Sequence, residues 1–537
     1  MTNDLILSLL EATPGWARIA ADAGLEKPDV RQILDAAERL ATGTLDPLAA
    51  RADLQGCQLV EGRVRTPAGY AATYRRMAAD GWLAADLGTE FGGQGLPHTL
   101  HVAASLHFEG AATPFMKAAG ASRAGAHLLS RENTEIARDW VRALSKGTRT
   151  ATICISEPDA GSDVGRIRTR ATRCGDVWQI SGTKCWISFG DHDMTEEIGH
   201  LLLARSGAPE EGTRGLSLFL VPSTLDGRSN GITVERIETK LGLHGSPTCV
   251  LGFDGARGYL VGETGHGLSR LFGMIELMRL QVACQGAGIA LRAAALARRY
   301  AEARRQGGNP AEPPVAIATH PDVRRMLAEL DERAALLVSL VLDVAVALDT
   351  AASGGEGARE RAALLLPIAK TFCGEGAFAA ASSAIQVLGA AGYTRDWPAE
   401  RYLRDSRILT IYEGTTGMQA QDFLFRRLLR DDGRGMERLL SASRAELHGS
   451  GRPGAELVTN MLDTFESMSA RVARLGREEQ LLAAHPFLEA GWCAVSAVLW
   501  HRFAGRDGPT AEFADGWLKG AAARLTVADQ SITASSR

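Results

Sequence analysis

The chain lacks the cysteine patterns of disulfide-stapled and zinc-binding proteins, and its first residues do not resemble a secretory signal. Its eight cysteines, at positions 57, 154, 174, 185, 249, 284, 373 and 493, include no Cys-x-x-Cys pair. Such scattered thiols are typical of a reducing compartment. The N-terminus has an acid at Asp4 and no basic segment before its short apolar run, unlike a secretory signal. We therefore expect a cytoplasmic protein without disulfides.

Strong net charge and long uncharged apolar runs are also missing. The 537 residues include 59 Lys+Arg and 63 Asp+Glu, a net charge of −4, which provides no overall attraction to nucleic acid or anionic membranes. No stretch of about 18 uncharged apolar residues occurs, so we expect no membrane-spanning helix. His98 and His101 have no further ligand candidates near them in the sequence, so no metal site is predicted.

The chain is too long for one hydrophobic core, and its residue pattern changes along its length. Helical spacing of apolar residues predicts a helical domain over residues 1–149. Short β-branched runs separated by Gly, Asp and Pro predict a β-domain of short antiparallel strands over 150–262. Helical patterns then predict a four-helix bundle over 263–430 and an extra helical unit over 431–537. The expected fold class is α+β.

Two polar stretches of the β-domain have both a structural and a functional interpretation. The turn "ISEPDAGSDVG", residues 155–165, contains Pro-Asp and Gly-Ser-Asp, which suit a structural turn, but its backbone donors and hydroxyls also suit a polar ligand. Trp186 in "ISGTKCWIS" fits a core position, and it equally fits the wall of a site for a ring-shaped cofactor. No familiar nucleotide-binding loop is present, since "GAGIAL" at 286 lies inside a helical run.

A lone carboxylate, Glu413, occupies the middle of "RILTIYEGTTGMQ", residues 407–419, and no Lys or Arg lies within five residues of it. An acid before Gly-Thr suits the start of a helix, where negative charge is favourable. Alternatively, a carboxylate in a mostly apolar pocket without a counter-ion has a raised pKa and acts as a general base. The residues alone leave both interpretations open.

The stretches "ISEPDAGSDVGRIRTRA", "ISGTKCWIS" and "AIQVLGAAGYTRDWPAERYLRDSRILTIYEGTTGMQ" together resemble the acyl-CoA dehydrogenase family of flavoproteins, over about residues 70–430. The order of helical, β and helical segments is also similar to that family. The stretches "SFGDHDMTEEIGHLLLAR" and "KLGLHGSPTCVLGFDGARGYLVGE" resemble its long bacterial branch. That branch includes the 3-methylmercaptopropionyl-CoA dehydrogenases and carries a C-terminal helical extension.

The resemblance implies an FAD cofactor held by two sets of residues. The flavin ring would contact backbone and hydroxyl groups of the strand at Cys154, Ile155 and Ser156, and a second strand at Trp186 and Ser188. The pyrophosphate and adenosine would be held by Arg304, Gln306, Gln386 and Thr415. Four of the family's usual residues are replaced: Gln306 stands for a Thr, Gly307 for a Phe, Ala390 for a Gly and Gly417 for a Gln.

The resemblance also implies the reaction. Glu413 would remove the α-proton of an acyl-CoA, flavin N5 would take the β-hydride, and electrons would pass to electron-transferring flavoprotein. A second family position for the base falls near Glu276, which ranks below Glu413. The implied protein is a homodimer acting on 3-methylmercaptopropionyl-CoA or another short or medium acyl-CoA. The residues implied to bind the substrate are Ser162, Arg279, Tyr412 and Gly414, of which Ser162 would meet either the CoA part of the thioester or an FAD phosphate.

Two related scaffolds offer other functions. An alkylation-response flavoprotein that binds DNA would need a basic C-terminal unit, but residues 433–537 contain 12 Lys+Arg and 12 Asp+Glu. This balance argues against a DNA-binding surface. Relatives that perform elimination, such as desulfination, lack the base, whereas Glu413 is present in this chain.

Overall fold

The computed structural model describes residues 2–225, 227–448, 451–452, 454–503 and 514–535. The remaining parts of the predicted extra unit 431–537 lie outside the described residues. The chain forms two compact units. We name them the helical unit, which comprises Met1–Glu38, Pro97–Gly110 and Arg279–Arg537, and the sheet unit, which comprises Arg39–Leu96 and Ala111–Met278. The four predicted domain limits stay predictions.

Most of the described residues are helical. The α-helices are α1 (Thr2–Ala12), α2 (Trp16–Asp22), α3 (Lys27–Leu40), α4 (Asp46–Gln55), α5 (Tyr70–Ala79), α6 (His98–Leu129), α7 (Glu135–Ser145), α8 (Gly267–Ala303), α9 (Pro321–Ala352), α10 (Ala358–Leu388), α11 (Ala399–Ser406), α12 (Thr416–Gln421), α13 (Arg434–Leu447), α14 (Ala455–Arg474), α15 (Arg477–Phe503) and α16 (Ala514–Ser535). Helix α7 shows how the sequence sets such an element. Its N-cap Thr134 accepts a hydrogen bond from the Ala137 amide, and its buried face includes Trp140 and Leu144.

The strands lie between the helical stretches. They are β1 (Gln58–Val60), β2 (Arg63–Arg65), β3 (Arg149–Cys154), β4 (Arg170–Cys174), β5 (Val177–Ser188), β6 (Glu197–Arg205), β7 (Leu216–Pro222), β8 (Thr224–Leu225), β9 (Arg228–Ser229), β10 (Ile232–Ile237) and β11 (Thr248–Val261). The α+β fold class predicted from the sequence is confirmed, with a central sheet and helices after it.

The main sheet of the sheet unit closes on itself. Strands β5, β4, β6, β7 and β11 pair in a ring, with β10 beside β11 and β3 beside β6. Most pairs are antiparallel as expected, but β3 and β4 both run parallel to β6. Strands β5 and β11 are longer than the short strands that the sequence suggested. Inward side chains such as Ile180, Leu202, Phe219 and Leu251 form the core of this ring.

All eight cysteines are free thiols, as the sequence predicted. Four of the described helices, however, are long and apolar enough by length and composition to cross a membrane: α8, α9, α15 and the helical stretch that begins with α10. In these windows 72–83% of the residues are buried in the protein. Their apolar residues therefore pack within the fold, as expected for helices that are apolar on most faces.

The C-terminal helices pack on α9 and α10 within the helical unit through a buried ionic network. Arg502 of α15 donates to Asp343 of α9 at 2.7 Å and to Glu446 of α13 at 2.8 Å, and Arg361 also donates to Asp343 at 2.8 Å. Although burial alone would raise the pKa of Asp343, the two guanidinium groups hold it well below its ordinary value. This network of paired charges therefore joins the C-terminal helices α13 and α15 to α9.

A second buried contact joins α9 to α15. The Trp500 indole N–H donates to Glu332 Oε1 at 3.1 Å, and Glu332 is 8% exposed. Burial raises the pKa of Glu332 from its ordinary 4.5 to about 7. The folded protein thus binds this proton more tightly than the unfolded chain does. The resulting stabilisation is complete below about pH 4.5 and is lost as the pH rises towards 7.

We predict that Glu332→Gln weakens this pH dependence. The variant amide still accepts the indole N–H but does not titrate, so between pH 5 and 8 its melting temperature should change less than that of the wild type. The difference should be roughly 3 °C, corresponding to roughly 3 kcal/mol, because the unfolding entropy of a chain of this length is large. Scanning calorimetry at both pH values measures it, with exposed Glu437→Gln as control. Equal pH dependence in wild type and Glu332→Gln would contradict the assignment.

Candidate active site

The backbone around Glu413 adopts a conformation that is unfavourable for most residues. The turn Tyr412–Thr415 joins a 3-10 helix, Arg407–Thr410, to α12. Glu413 has φ 55° and Gly414 has φ 92°. A left-handed glutamate costs about 1–2 kcal/mol, so neighbouring groups must hold it in place. Such retained strain often marks a functional position.

Two buried side chains hold the carbonyl groups of this turn. Gln419 Nε2 donates to Glu413 O at 3.0 Å and to Gly414 O at 3.4 Å. Lys370 Nζ donates to Gly414 O at 2.6 Å. Both Lys370 and Gln419 are 0% exposed. A glycine suits position 414 because L side chains rarely adopt a φ of 92°, and a Cβ there would also lie 2.8 Å from the Gln419 amide nitrogen.

The structure corrects the prediction that Glu413 has no counter-ion. The ammonium of Lys370 interacts electrostatically with Glu413, although the two residues are far apart in the chain. Helix α10 brings the lysine to the turn, so inspection of the residues next to Glu413 could not reveal it. A usable signal existed, since Lys370 is a single cation in the apolar stretch "LLLPIAKTFC".

Arg279, predicted to bind substrate, lies beside the same turn. A Cβ on Gly414 would be 3.7 Å from Arg279 Nη2. The guanidinium is largely buried, and its Nη1 donates to Asp422 Oδ2 at 2.6 Å. Asp422 begins a π-helical turn, Asp422–Leu428, directly after α12. The structure therefore places an ion pair next to the predicted base.

Tyr412, also predicted to contact substrate, points into a buried polar group. Its hydroxyl donates to Gln285 Oε1. Burial raises the pKa of Tyr412 well above its ordinary value, and the carboxylates of Glu109 and Glu413 raise it further. Glu109 is 2% exposed and accepts a hydrogen bond from Gln281 at 2.8 Å. Sequence reasoning missed Glu109 and Gln285, because nothing in their local patterns separates them from other helical polar residues.

In the sheet unit, a buried ion pair braces the predicted ligand-binding turn. Lys184 Nζ donates to Glu157 Oε1 and to Ile155 O, both at 2.8 Å. Glu157 also accepts from the amides of Arg168 and Thr169 at 2.7 and 3.0 Å. These donors hold the pKa of Glu157 below its ordinary value, even though burial alone would raise it. The turn of residues 155–165 is therefore held by buried hydrogen bonds and an ion pair beneath it.

Strand β5 presents Trp186 outwards at a β-bulge. Two residues, Cys185 and Trp186, oppose the single residue Val250 of β11 where the register shifts, and Trp186 has φ 63°. Bulges re-aim side chains, and the indole is 62% exposed. Trp186 is thus a surface aromatic and not a core residue, which removes the structural alternative left open by the sequence.

The other predicted residues of the sheet unit differ in what they offer a ligand. The Cys154 thiol is buried 3.8 Å from His200 Nδ1, so only its backbone is available. Ile155 and Ser156 are half-buried, and Ser156 O accepts from the Cys185 amide at 2.9 Å. Ser162 is exposed, and Ser188 O accepts from Thr152 Oγ1 at 2.7 Å.

Four predicted cofactor residues of the helical unit are all exposed: Arg304, Gln306, Gln386 and Thr415. Arg304 Nη2 donates to Gln306 Oε1 at 3.4 Å. Thr415 is the N-cap of α12 and accepts a hydrogen bond from the Met418 amide at 3.3 Å. Its hydroxyl therefore already has a structural role.

The sheet unit also contains an open cleft of about 800 Å³. It lies between β4, β5, the segment after β6 and the start of α8. Three of its basic side chains, Arg173, Arg214 and His266, are exposed, and Trp178 and Phe272 supply apolar surface. The cleft thus combines two arginines and a histidine with flat apolar groups, and the carboxylate of Glu211 also lines it.

Comparison with known proteins identifies the family. The model of the acyl-CoA dehydrogenase middle domain matches residues 152–256, and that of the C-terminal domain matches residues 265–428. The 3-methylmercaptopropionyl-CoA dehydrogenase of Ruegeria pomeroyi is 36% identical over 494 residues, which are 88% of this chain and 84% of that protein. These matches confirm the resemblance read from the sequence motifs.

Solved structures show the same fold. Caenorhabditis elegans ACDH-11 in complex with C11-CoA has a TM-score of 0.79 at 20% identity, over 97% of this chain and 89% of that one. An acyl-CoA dehydrogenase complexed with FAD from Bacillus anthracis has a TM-score of 0.79 at 19% identity, over 95% and 89%. The DNA-binding alternative finds no support among these relatives. From its sequence matches, the chain belongs to the acyl-CoA dehydrogenase family, whose members are FAD-binding oxidoreductases that act on acyl-CoA.

Proposed function

We propose that the protein converts an acyl-CoA to its 2,3-enoyl-CoA, with Glu413 as the base that removes the α-proton. The observation that carries this proposal is the left-handed Glu413, held by two fully buried side chains. A position kept at a conformational cost, with its carbonyls fixed, presents its carboxylate in one orientation. A thioester α-proton is only weakly acidic, so fixed orientation is a large part of the catalysis.

The protein's own groups would perform the steps around this proton. The carboxylate of Glu413 takes the α-proton, and the backbone N–H of the same residue donates to the thioester carbonyl, where negative charge develops. Arg279 lies beside the turn and Tyr412 is its first residue, and both limit how the thioester lies. FAD, when bound, supplies the acceptor for the β-hydrogen, which leaves as a hydride.

Each of the two units offers residues that suit one part of an FAD cofactor. The exposed indole of Trp186 offers a flat surface to an isoalloxazine ring, and the edge of β3 at Cys154, Ile155 and Ser156 offers backbone groups, with Ser188 on β5. Arg304 supplies an exposed cation for a pyrophosphate, with Gln306, Gln386 and Thr415 as polar neighbours of the phosphates or adenosine.

The basic cleft of the sheet unit is proposed to hold the phosphorylated end of coenzyme A. Arg173, Arg214 and His266 would face the phosphates, and Trp178 or Phe272 would stack on the adenine. Ser162, on the braced turn of the same unit, would contact the pantetheine part. We further propose 3-methylmercaptopropionyl-CoA or another short or medium acyl-CoA as substrate. Electron-transferring flavoprotein is the proposed acceptor, and we propose a cytoplasmic homodimer.

The central prediction concerns Glu413→Gln in the FAD-loaded enzyme. Without the carboxylate, anaerobic reduction of the flavin by an acyl-CoA should slow by about 10³-fold or more, because general-base catalysis contributes about 10²–10⁴-fold. Stopped-flow absorbance of the flavin measures it, using short-chain, branched, aryl and 3-methylmercaptopropionyl thioesters. Exposed Glu437→Gln serves as the control. The proposal fails if no thioester bleaches the flavin, or if Glu413→Gln bleaches it at the wild-type rate.

Trp186→Ala is predicted to weaken FAD binding. Loss of an aromatic contact of this kind should raise the dissociation constant about 10-fold. The melting temperature of the apoprotein should hardly change, because the side chain is mostly exposed. FAD titration of the apoprotein by fluorescence tests this, with exposed Leu54→Ala as the matched apolar control. An unchanged FAD affinity would show that the indole does not border the cofactor.

A charge-removing variant tests the coenzyme A cleft. Arg173→Ala combined with Arg214→Ala should raise KM for acyl-CoA about 10-fold with kcat preserved, because phosphate contacts contribute to binding remote from the reacting carbons. The difference from wild type should shrink as salt is added. Exposed Arg236→Ala is the control. A change in kcat with KM unaltered would count against this location for coenzyme A.

A further inference from the structure

We propose that Lys370 is a positioning residue for the reaction: its ammonium holds the carbonyl of Gly414, which fixes the turn that carries Glu413, and places a positive charge beside that carboxylate. This inference deepens the proposed function and rests on Glu413 being the base. Nothing in the sequence near Glu413 indicates it, because Lys370 and Gly414 are 44 positions apart.

Helix α10 is packed tightly enough against the turn segment to act as a rigid support. A Cβ on Gly374, one helical turn after Lys370, would lie 3.1 Å from the backbone of Leu409 in the 3-10 helix that leads into the turn. On another face of α10, a Cβ on Gly286 of α8 would lie 2.2 Å from Cys373 O. Lys370 therefore extends from a helix fixed against both of its neighbours.

The burial of Lys370 needs the partners that the turn provides. A fully buried ammonium is unfavourable unless it is hydrogen-bonded and paired with charge. Lys370 Nζ has the Gly414 carbonyl at 2.6 Å and the nearby carboxylate of Glu413. The same contact that satisfies the lysine restrains the left-handed turn. Gln419 also restrains the carbonyls of this turn, but it carries no charge. Variants of Lys370 and Gln419 can therefore separate the effect of holding the turn from the effect of the lysine's charge on Glu413.

The charged groups around Lys370 come from several elements. Glu413 of the turn and Glu375 of α10 favour its ammonium, and Arg279 of α8 opposes it. Arg279 is in turn paired with Asp422. Glu375 interacts with His485 and Glu489, two residues of α15. Burial outweighs the favourable charges and lowers the pKa of Lys370 to about 8. The ammonium therefore begins to lose its proton within the working pH range of many enzymes.

The test isolates the proton-transfer step with a 3-thia-acyl-CoA, in which sulfur replaces the β-carbon. This compound has α-protons but no β-hydrogen to lose as hydride, so no oxidation occurs. In D2O the base breaks the α-C–H bond and returns a deuteron from solvent. Mass spectrometry of the thioester gives the exchange rate across pH for the FAD-loaded wild type, Lys370→Met, Lys370→Arg and Gln419→Leu. Exposed Lys27→Met is the matched control.

The expected profiles differ by variant. Lys370→Met should lower the maximal exchange rate about 100-fold through misplacement of the base. It should also shift the acidic limb of the pH–rate profile to higher pH by about one pH unit or more, since a nearby cation favours the ionised carboxylate and Lys370→Met removes that cation. Gln419→Leu should lower the rate without moving the limb. The wild type should show a second transition near pH 8, which Lys370→Arg removes because guanidinium does not deprotonate there.

Three outcomes overturn the inference. The first is that Lys370→Met exchanges at the wild-type rate and with the wild-type acidic limb of the pH–rate profile, while Glu413→Gln no longer exchanges. The second is a transition near pH 8 that persists in Lys370→Arg, a test that stands even if Lys370→Met does not fold. The third is that Lys370→Met dehydrogenates its substrate with unchanged KM and unchanged kcat. We expect its kcat to fall. Exchange that survives in Glu413→Gln would instead refute the proposed base, and this inference with it.

A measurement on the apoprotein is independent of flavin chemistry. Amide hydrogen exchange of residues 407–421 should be faster in Lys370→Met than in wild type, because the turn loses a restraint. The segments of α14 should exchange equally in both proteins. Equal protection of residues 407–421 in the two proteins would refute the positioning role.

Discussion

The left-handed backbone at Glu413 is the constraint around which the helical unit is arranged. It is unfavourable by itself and persists because Lys370 and Gln419, both fully buried, hold the two adjacent carbonyls. Holding a lysine at that depth requires α10 to lie close to the turn. Gly374 permits that approach, since a Cβ there would lie only 3.1 Å from the backbone of Leu409, and Gly286 lets α8 pack against α10, since a Cβ there would collide with Cys373 O. The left-handed backbone of Glu413, the buried charge of Lys370 and the glycines at the helix contacts therefore depend on one another.

The sheet unit uses the same device at a different turn. Lys184 is also 0% exposed, and its ammonium donates to the carbonyl of Ile155 while it pairs with Glu157. In each unit a buried lysine thus fixes the backbone of a loop that is proposed to meet a ligand. A lysine can do this because one ammonium offers three donors, enough for a carbonyl and a carboxylate together. The cost of burying the charge is offset only if both partners stay in place.

The C-terminal extension adds to this rigidity within the helical unit. Helix α15 supplies Arg502 to the Asp343 network and Trp500 to Glu332, so it is tied to α9 by polar contacts in an otherwise apolar interface. Aromatic packing supports these contacts, with Phe423 against Phe487 at 5.3 Å between ring centroids. Phe423 lies in the π-helical turn that also contains Asp422, the partner of Arg279. The extension therefore packs on the segment that directly follows the candidate active site.

The sequence by itself determined the fold class and the family, and through the family resemblance it indicated the chemistry that is proposed for Glu413. Periodicity separates helix from strand, and the motifs around residues 155–165 and 407–419 are local stretches that can be read directly. The tertiary structure decided what surrounds those residues. It turned Trp186 outwards at a bulge, made β3 parallel to β6, and brought Lys370 to a glutamate that had no counter-ion in the sequence. The physical reason is that charge and burial at a site depend on which distant segments pack together, and no local pattern records that packing.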